Sequence, residues 1–196
     1  MAKKSFIILT GVSGTGKDWF YENVIKPTGK FIKVTAATTR DMRATEIDGR
    51  EYYFRDEDWF NTNPLAVKMW VNEHVWQPGD RKWMYGLPVA ELDRLAGKNL
   101  VYDIIEPKYT RALIDWCRAN GYDYDFKIIY FVQSDRDMSI AAGRAVMKDD
   151  VYVRTRNTCD PIDFVRAGLR PDWLMRCSAK EEIFDPECLD YIKSVK

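Results

Sequence analysis

The sequence predicts an α/β fold, with a mostly parallel central sheet covered by helices on both faces. Three observations carry that expectation. An apolar run, Phe6-Ile7-Ile8-Leu9, gives way to a glycine-rich turn and then to a helical pattern. Further apolar strands alternate with helical stretches, the order that parallel sheets require of their crossovers. A hydrophobic content of 46% in 196 residues is enough to build one real core, so the chain suits a single domain with small insertions.

Each element has a local reason. Residues 5–10 form the first strand, apolar at successive positions as a strand buried on both faces must be. Residues 18–25 form a helix that Pro27 and Gly29 stop. Residues 31–35 are extended, and an arginine-rich stretch follows. Residues 52–55 make a strand, and 57–61 a short helix ended before Pro64. Residues 67–73 and 82–85 bracket the turn Gln77-Pro78-Gly79-Asp80 as a hairpin. Residues 89–96 are helical with Gly97 as cap, and 100–105 are an apolar strand. A helix over 109–120 closes at Gly121, and 126–132 form another strand. Residues 135–147 and 161–169 read as helices, 173–177 as an edge strand, and 179–196, rich in Lys, Glu and Asp, as a surface helix.

Charge and cysteine usage narrow the class. Lys plus Arg and Asp plus Glu both number 30, so no bulk field draws the chain to nucleic acid or to an anionic membrane. Cys117, Cys159, Cys177 and Cys188 have no metal-ligand spacing, and reduced thiols of a cytoplasmic protein are the expectation. Lys3-Lys4 before the apolar run faintly imitates a signal peptide, but the run is too short and ends in the glycine-rich turn. No internal repeat or low-complexity tract appears. A monomer or homodimer acting on small molecules fits this composition.

The glycine-rich turn is Gly11-Val12-Ser13-Gly14-Thr15-Gly16-Lys17, which fits the phosphate-binding spacing G-x-x-x-x-G-K between a strand and a helix. Glycines let the backbone curl until successive N–H groups point inward at phosphate oxygens, and the helix N-terminus adds its positive dipole end. Gly11, Ser13, Gly14, Thr15, Gly16 and Lys17 are therefore expected to hold ATP, with the Lys17 ammonium on its β- and γ-phosphates. One position departs from the pattern. Asp18 stands where Ser or Thr would offer Mg²⁺ a hydroxyl. A carboxylate is a good ligand for Mg²⁺, directly or through water, and is also a favourable first-turn residue of a helix. The loop and its flanking alternation imply the three-layer P-loop NTPase architecture.

A second stretch runs Thr38-Thr39-Arg40-Asp41-Met42-Arg43-Ala44-Thr45-Glu46-Ile47-Asp48-Gly49-Arg50-Glu51-Tyr52-Tyr53-Phe54. Two arginines three residues apart and a tyrosine nine beyond can surround a tetrahedral phosphate, guanidinium forks on its oxygens and a phenol donating one more bond. A solvated basic loop is the plainer alternative. The stretch resembles the guanylate kinase signature, T-[ST]-R, a basic residue, an acidic residue, a glycine and Y-x-F, all in register. The resemblance covers residues 4–158 and fades beyond them.

That resemblance implies roles for further residues. Arg40, Arg43, Tyr52 and Tyr85 would hold the acceptor monophosphate, Arg40 among the catalytic groups. Glu73 matches the carboxylate that reads guanine, with two extra residues before it. The core would span 1–34 and 97–196, a small NMP-binding subdomain 35–96, and a helical lid 143–158. Lid arginines Arg144 and Arg154, or Arg156 in place of the latter, would stabilise charge on the transferring phosphoryl group. Asp103, at the end of an apolar strand, would serve the acceptor site and, with Asp18, the Mg²⁺ shell. His74 is expected to pack rather than catalyse. Trp70, Trp76 and Trp83 read mainly as core, with one of them able to line the base pocket.

Departures from the signature concern the base. Ala36 replaces a serine near the acceptor, Leu87 a hydroxyl after Tyr-Gly, and Ile105 a second aspartate. The phosphate half of the acceptor site looks intact and the guanine half partly rewritten. The resemblance therefore implies an ATP- and Mg²⁺-dependent nucleoside monophosphate kinase acting on dGMP, GMP or an altered or other base. A ribose 1,5-bisphosphate phosphokinase-like enzyme and a non-catalytic phospho-ligand module are the alternatives.

Overall fold

In the computed structural model, which describes residues 3–11, 15–72, 82–104, 106–132, 161–177 and 182–196, β1 (Lys4–Thr10) is buried from Ser5 onward. It lies between β7 (Asn99–Ile104) and β8 (Tyr124–Phe131), parallel to both, so every ladder of the first strand is filled. The main sheet runs β10-β9-β8-β1-β7-β2, with β2 (Phe31–Lys33), β9 (Trp173–Cys177) and β10 (Glu182–Ile183) outside the central three. All its pairings are parallel except that of β10 with β9. The mostly parallel α/β architecture expected from the sequence is therefore present. Trp173–Cys177 is not the edge strand that was expected, because the two-residue β10 pairs outside it.

Alternation along these strands splits the core into two layers. Phe6, Ile8, Leu100, Tyr102 and Ile128 face one side, where α4 (Pro107–Ala119) covers them with Leu113, Ile114 and Cys117. Ile7, Leu9, Val101, Ile129 and Phe131 face the other. There Phe20, Tyr21 and Ile25 pack with Cys188 and Ile192 of α6 (Pro186–Ser194). Burial pushes the Cys117 and Cys188 thiols up to about 12, which keeps both as inert packing groups. No helix among the described residues is long and apolar enough to cross a membrane.

The helix after the glycine-rich loop departs from expectation. Only α1 (Lys17–Phe20) is α-helical; a π turn, Tyr21–Ile25, and a 3₁₀ turn, Lys26–Thr28, continue it to Gly29. Pro27 has no N–H to give an α-helical ladder, so the last turn tightens and stops.

A second sheet of four strands is ordered β4-β3-β6-β5. The extended stretch expected over 31–35 stops at Lys33, and a separate strand β3 (Ala36–Thr38) starts this sheet. β4 (Tyr52–Phe54) lies parallel to β3, and β6 (Lys82–Pro88) lies antiparallel to it. β5 (Leu65–Asn72) and β6 pair as the expected hairpin arms, with β6 three residues longer at its end than its sequence pattern marked. α2 (Glu57–Thr62), N-capped by Asp56, packs Phe60 against Ala37 and Met84, and α3 (Val89–Arg94) leads back to β7. α5 (Pro161–Arg166) adds Phe164 to the first layer. The expected helix 135–147 lies outside the described residues.

Candidate active site

The sheet delivers the glycine-rich loop at the C-terminal end of its central strand. Gly11 is needed there by geometry. Its φ of 139° suits no side chain, and a β-carbon would meet the Phe131 carbonyl oxygen at 2.7 Å. Gly16, at φ 89°, turns the chain into α1. Lys17 is 6% exposed, and its ammonium donates to the Gly11 carbonyl at 2.9 Å, bridging the two ends of the loop. Thr15 is buried beside it.

Asp103 faces the same side of the sheet as α1, since Val101, two residues earlier on β7, packs in that layer. One carboxylate oxygen of Asp103 lies 3.9 Å from the Lys17 ammonium and is buried with no hydrogen-bond partner among the described residues. Burial raises the Asp103 pKa above the ordinary carboxylate value against the pull of Lys17, and the Asp18 charge raises it further. Asp18 itself is 80% exposed at the side chain and accepts a bond from Lys33 on β2 at 2.8 Å.

The residues expected to bind the acceptor lie on the second sheet. Register pairs Ala36 with Tyr52, and Thr38 with both Phe54 and Tyr85, so the expected phenols are brought to one place. Their rings meet edge to face with centroids 5.7 Å apart. Arg40 follows β3 and is 7% exposed. Its guanidinium lies 5.6 Å from the Tyr52 ring centroid and 5.5 Å from that of Phe54. It donates to Glu46 and to the Asp41 carbonyl, both at 2.7 Å. Burial opposes the charge on Arg40, but Glu46 and Tyr85 more than restore it and raise its pKa. Glu46 takes a second bond from the Arg43 N–H at 2.8 Å. Burial works against its ionisation, and the Arg40 and Arg43 contacts outweigh it, holding the carboxyl below its ordinary value. Arg43 is 71% exposed at the side chain and lies at the rim, with Glu46 at 3.9 Å.

The two halves meet at Tyr52. Burial pushes its phenol well above the ordinary value, and the charge of Asp103 pushes it the same way. Lys17 with Asp103 forms one cluster at the end of the main sheet, and Arg40 with Tyr52 and Tyr85 forms another on the second sheet. Such an arrangement can bind two phosphates. Leu87, two residues past Tyr85 on the same strand face, is fully buried in the first core layer. Trp83 on that face is buried too.

Some expected site residues lie outside the described residues: Ser13, Gly14, Glu73, Arg144, Arg154 and Arg156, with His74, Trp76, Ile105 and the lid 143–158. Three side chains were missed by sequence reasoning. Glu46 was visible only as the signature's acidic residue, not as the partner of both arginines. Lys33 and Glu91 carried no spacing signal, because their partners come from other elements.

Glu91 of α3 is nearly fully buried and accepts four bonds. They come from the Thr35 N–H at 3.2 Å, the Tyr53 hydroxyl at 3.0 Å, and Arg94 Nε and Nη2 at 2.8 Å each. It thereby ties the chain where it enters the second sheet to the helix by which it leaves.

Residues 3–95 match the family profile described as guanylate kinase. A guanylate kinase of Synechocystis sp. is 35% identical over 71 residues, 36% of this chain and 34% of that protein. One from Cereibacter sphaeroides is 33% identical over 107 residues, 53% of this chain and 48% of its own length. Each alignment spans less than half of its relative. The crystal structure of guanylate kinase from Anaplasma phagocytophilum is similar in fold, with a TM-score of 0.55 at 18% identity, covering 98% of this chain and 84% of that one. Matched in sequence over residues 3–95 and in fold over nearly its whole length, the chain is similar, at a distance, to guanylate kinases.

Proposed function

We propose that the chain is an ATP-dependent nucleoside monophosphate kinase, with dGMP or GMP as the best single acceptor and selection for plain guanine relaxed. The observation that supports this reading is the presence of two clusters suited to phosphate, Lys17 with Asp103 at the loop and Arg40 with Tyr52 and Tyr85 on the second sheet. Gly11, Ser13, Gly14, Thr15, Gly16, Lys17 and Asp18 would hold the donor, Arg43 and Glu73 would complete the acceptor site, and Arg144 with Arg154 would close over the γ-phosphoryl group. Catalysis of this kind needs positioning and charge stabilisation more than a proton-transfer side chain. The γ-phosphorus passes to an acceptor phosphate oxygen and ADP leaves. Lys17 would follow the charge on the donor phosphates, and Arg40 would fix the acceptor oxygen in line.

Asp103 fits Mg²⁺, and Asp18 would stand beside the ion with its carboxylate bonded to Lys33. The buried Asp103 oxygen without a hydrogen-bond partner is a hard ligand, and no cluster of three ligating side chains appears among the described residues. That suits an ion held by one or two carboxylates, phosphates and water. The ion would supply charge neutralisation on the β- and γ-phosphates.

The sequence carries Leu87 and Ile105 where the resemblance expects a hydroxyl and a carboxylate, which supports relaxed base choice over strict guanine reading. The test is ADP release across GMP, dGMP, AMP, dAMP, dTMP, dCMP and ribose 1,5-bisphosphate. Transfer to a nucleotide that disappears in Lys17→Ala is the expected result. Transfer only to the sugar bisphosphate, or to nothing, would overturn the proposal.

A further inference from the structure

The geometry points to Lys33 as a positioning residue of the donor site, whose ammonium neutralises Asp18 so that a triphosphate can bind beside it. This inference rests on the donor-site reading proposed above and deepens it. An ordinary phosphate loop has a neutral hydroxyl after its lysine; this chain has a carboxylate, an added negative charge next to an anionic ligand. Such a charge repels the phosphates unless a cation stands against it. Lys33 is that cation.

Its position is set by the fold. Lys33 ends β2, in register with Val101 of β7, at the strand ends that border the loop. It shares a strand face with Phe31, which is buried in the α1 layer, so its stem runs toward α1. The ammonium reaches Asp18 at 2.8 Å and lies 5.2 Å from the Tyr21 ring centroid. Burial disfavours its charge, and the carboxylates of Asp18 and Asp103 more than offset that, so Lys33 keeps its proton above the ordinary lysine value. Lys17, Lys33, Asp18 and Asp103 thus form a cluster of two cations and two anions. With a hydroxyl at 18, Lys17 and Asp103 would already balance. The second pair is self-cancelling, and each member is explained by the other.

A compensating pair has a signature that a structural contact lacks, because removing the cation alone harms, removing the carboxylate alone does not, and removing both restores. The experiment measures Mg·ATP dissociation constants by calorimetry for the unmodified chain, Lys33→Met, Asp18→Ser and Asp18→Ser/Lys33→Met, with thermal melts to show that each is folded. Methionine keeps the stem over Tyr21. Lys33→Met should weaken Mg·ATP binding about tenfold, and adding Asp18→Ser should return it to within about threefold of the unmodified chain, a recovery of at least about 0.7 kcal/mol at 1.36 kcal/mol per tenfold. A Lys33→Met protein that binds like the unmodified chain, or a double variant no better than Lys33→Met, would overturn the inference while leaving the donor site standing. If Lys33→Met does not fold, Lys33→Arg takes its place. The arginine should keep binding within about threefold, and a tenfold loss would overturn the inference. Failure of the unmodified chain to bind Mg·ATP would overturn the donor-site reading and this inference together.

Discussion

Removing the Glu91 carboxylate should loosen the acceptor sheet from the core before it affects the donor loop. In Glu91→Ala the Thr35 N–H and the Tyr53 hydroxyl lose their acceptor, and Arg94 loses two bonds. Arg94 is mostly exposed and returns to water at little cost. The other two donors are less able to do so, and an orphaned donor costs about 1–3 kcal/mol. Discounting for their partial exposure, the total is about 2–3 kcal/mol. At about 2–4 °C per kcal/mol for a domain of this size, the melting temperature should fall by about 4–12 °C. Glu91→Gln keeps one oxygen acceptor and should recover about half of that. Urea unfolding gives the free energy, and steady-state kinetics should show the acceptor KM rising with the ATP KM unchanged. A Glu91→Ala protein within about 0.5 kcal/mol of the unmodified chain, the range of ordinary surface changes, would refute the reasoning.

Other expectations follow from the same geometry. Arg40→Ala should weaken acceptor use by about 1.5–3 kcal/mol and Arg43→Ala by less, because Arg40 is enclosed by rings and Arg43 lies at the rim; equal losses in kcat/KM would contradict this. Gly11→Ala combines a disfavoured φ with a 2.7 Å approach to Phe131, so strain of about 1–3 kcal/mol should appear in melts together with loss of ATP binding in calorimetry. Glu46 and Glu91 both have folded-state values below the ordinary 4.5, so each stabilises fully above that pH and loses its contribution as pH falls through the folded value. Glu46→Gln and Glu91→Gln should therefore cost more at pH 7 than at pH 3 in unfolding titrations. In a competition of nucleotides, discrimination for guanine should stay below a hundredfold in kcat/KM, about 2.7 kcal/mol; a larger ratio would mean that the Leu87 wall does not face the base.

The main sheet was readable in the sequence because its strands are apolar on both faces and its crossovers are helical. The loop was readable because its glycines and lysine fall at fixed spacing within seven residues. What escaped depended on pairing between distant segments. β3 is three residues long and ends where the arginine stretch begins, and only its ladders with β4 and β6 make it a strand. β10 is two residues long, too short for any period, yet it decides that Trp173–Cys177 is interior. Asp18 stood out from the motif by its absence of a hydroxyl, but Lys33 is fifteen residues away and meets it only because β2 ends beside α1. The same holds for Glu91, whose partner Thr35 is 56 residues earlier.

The Arg40–Glu46 pair would give the proposed acceptor cradle an unusual character. Its guanidinium is already answered by a carboxylate of the same loop, which also holds the Arg43 N–H. A phosphate entering this cradle exchanges one anion for another. Its net affinity is the difference between two similar charge-assisted contacts, smaller than either alone. Such a site casts little field beyond its rim, so arrival depends on diffusion and shape more than on long-range attraction, and salt should alter it weakly. Departure is helped by the same carboxylate, which replaces the leaving phosphate as it goes.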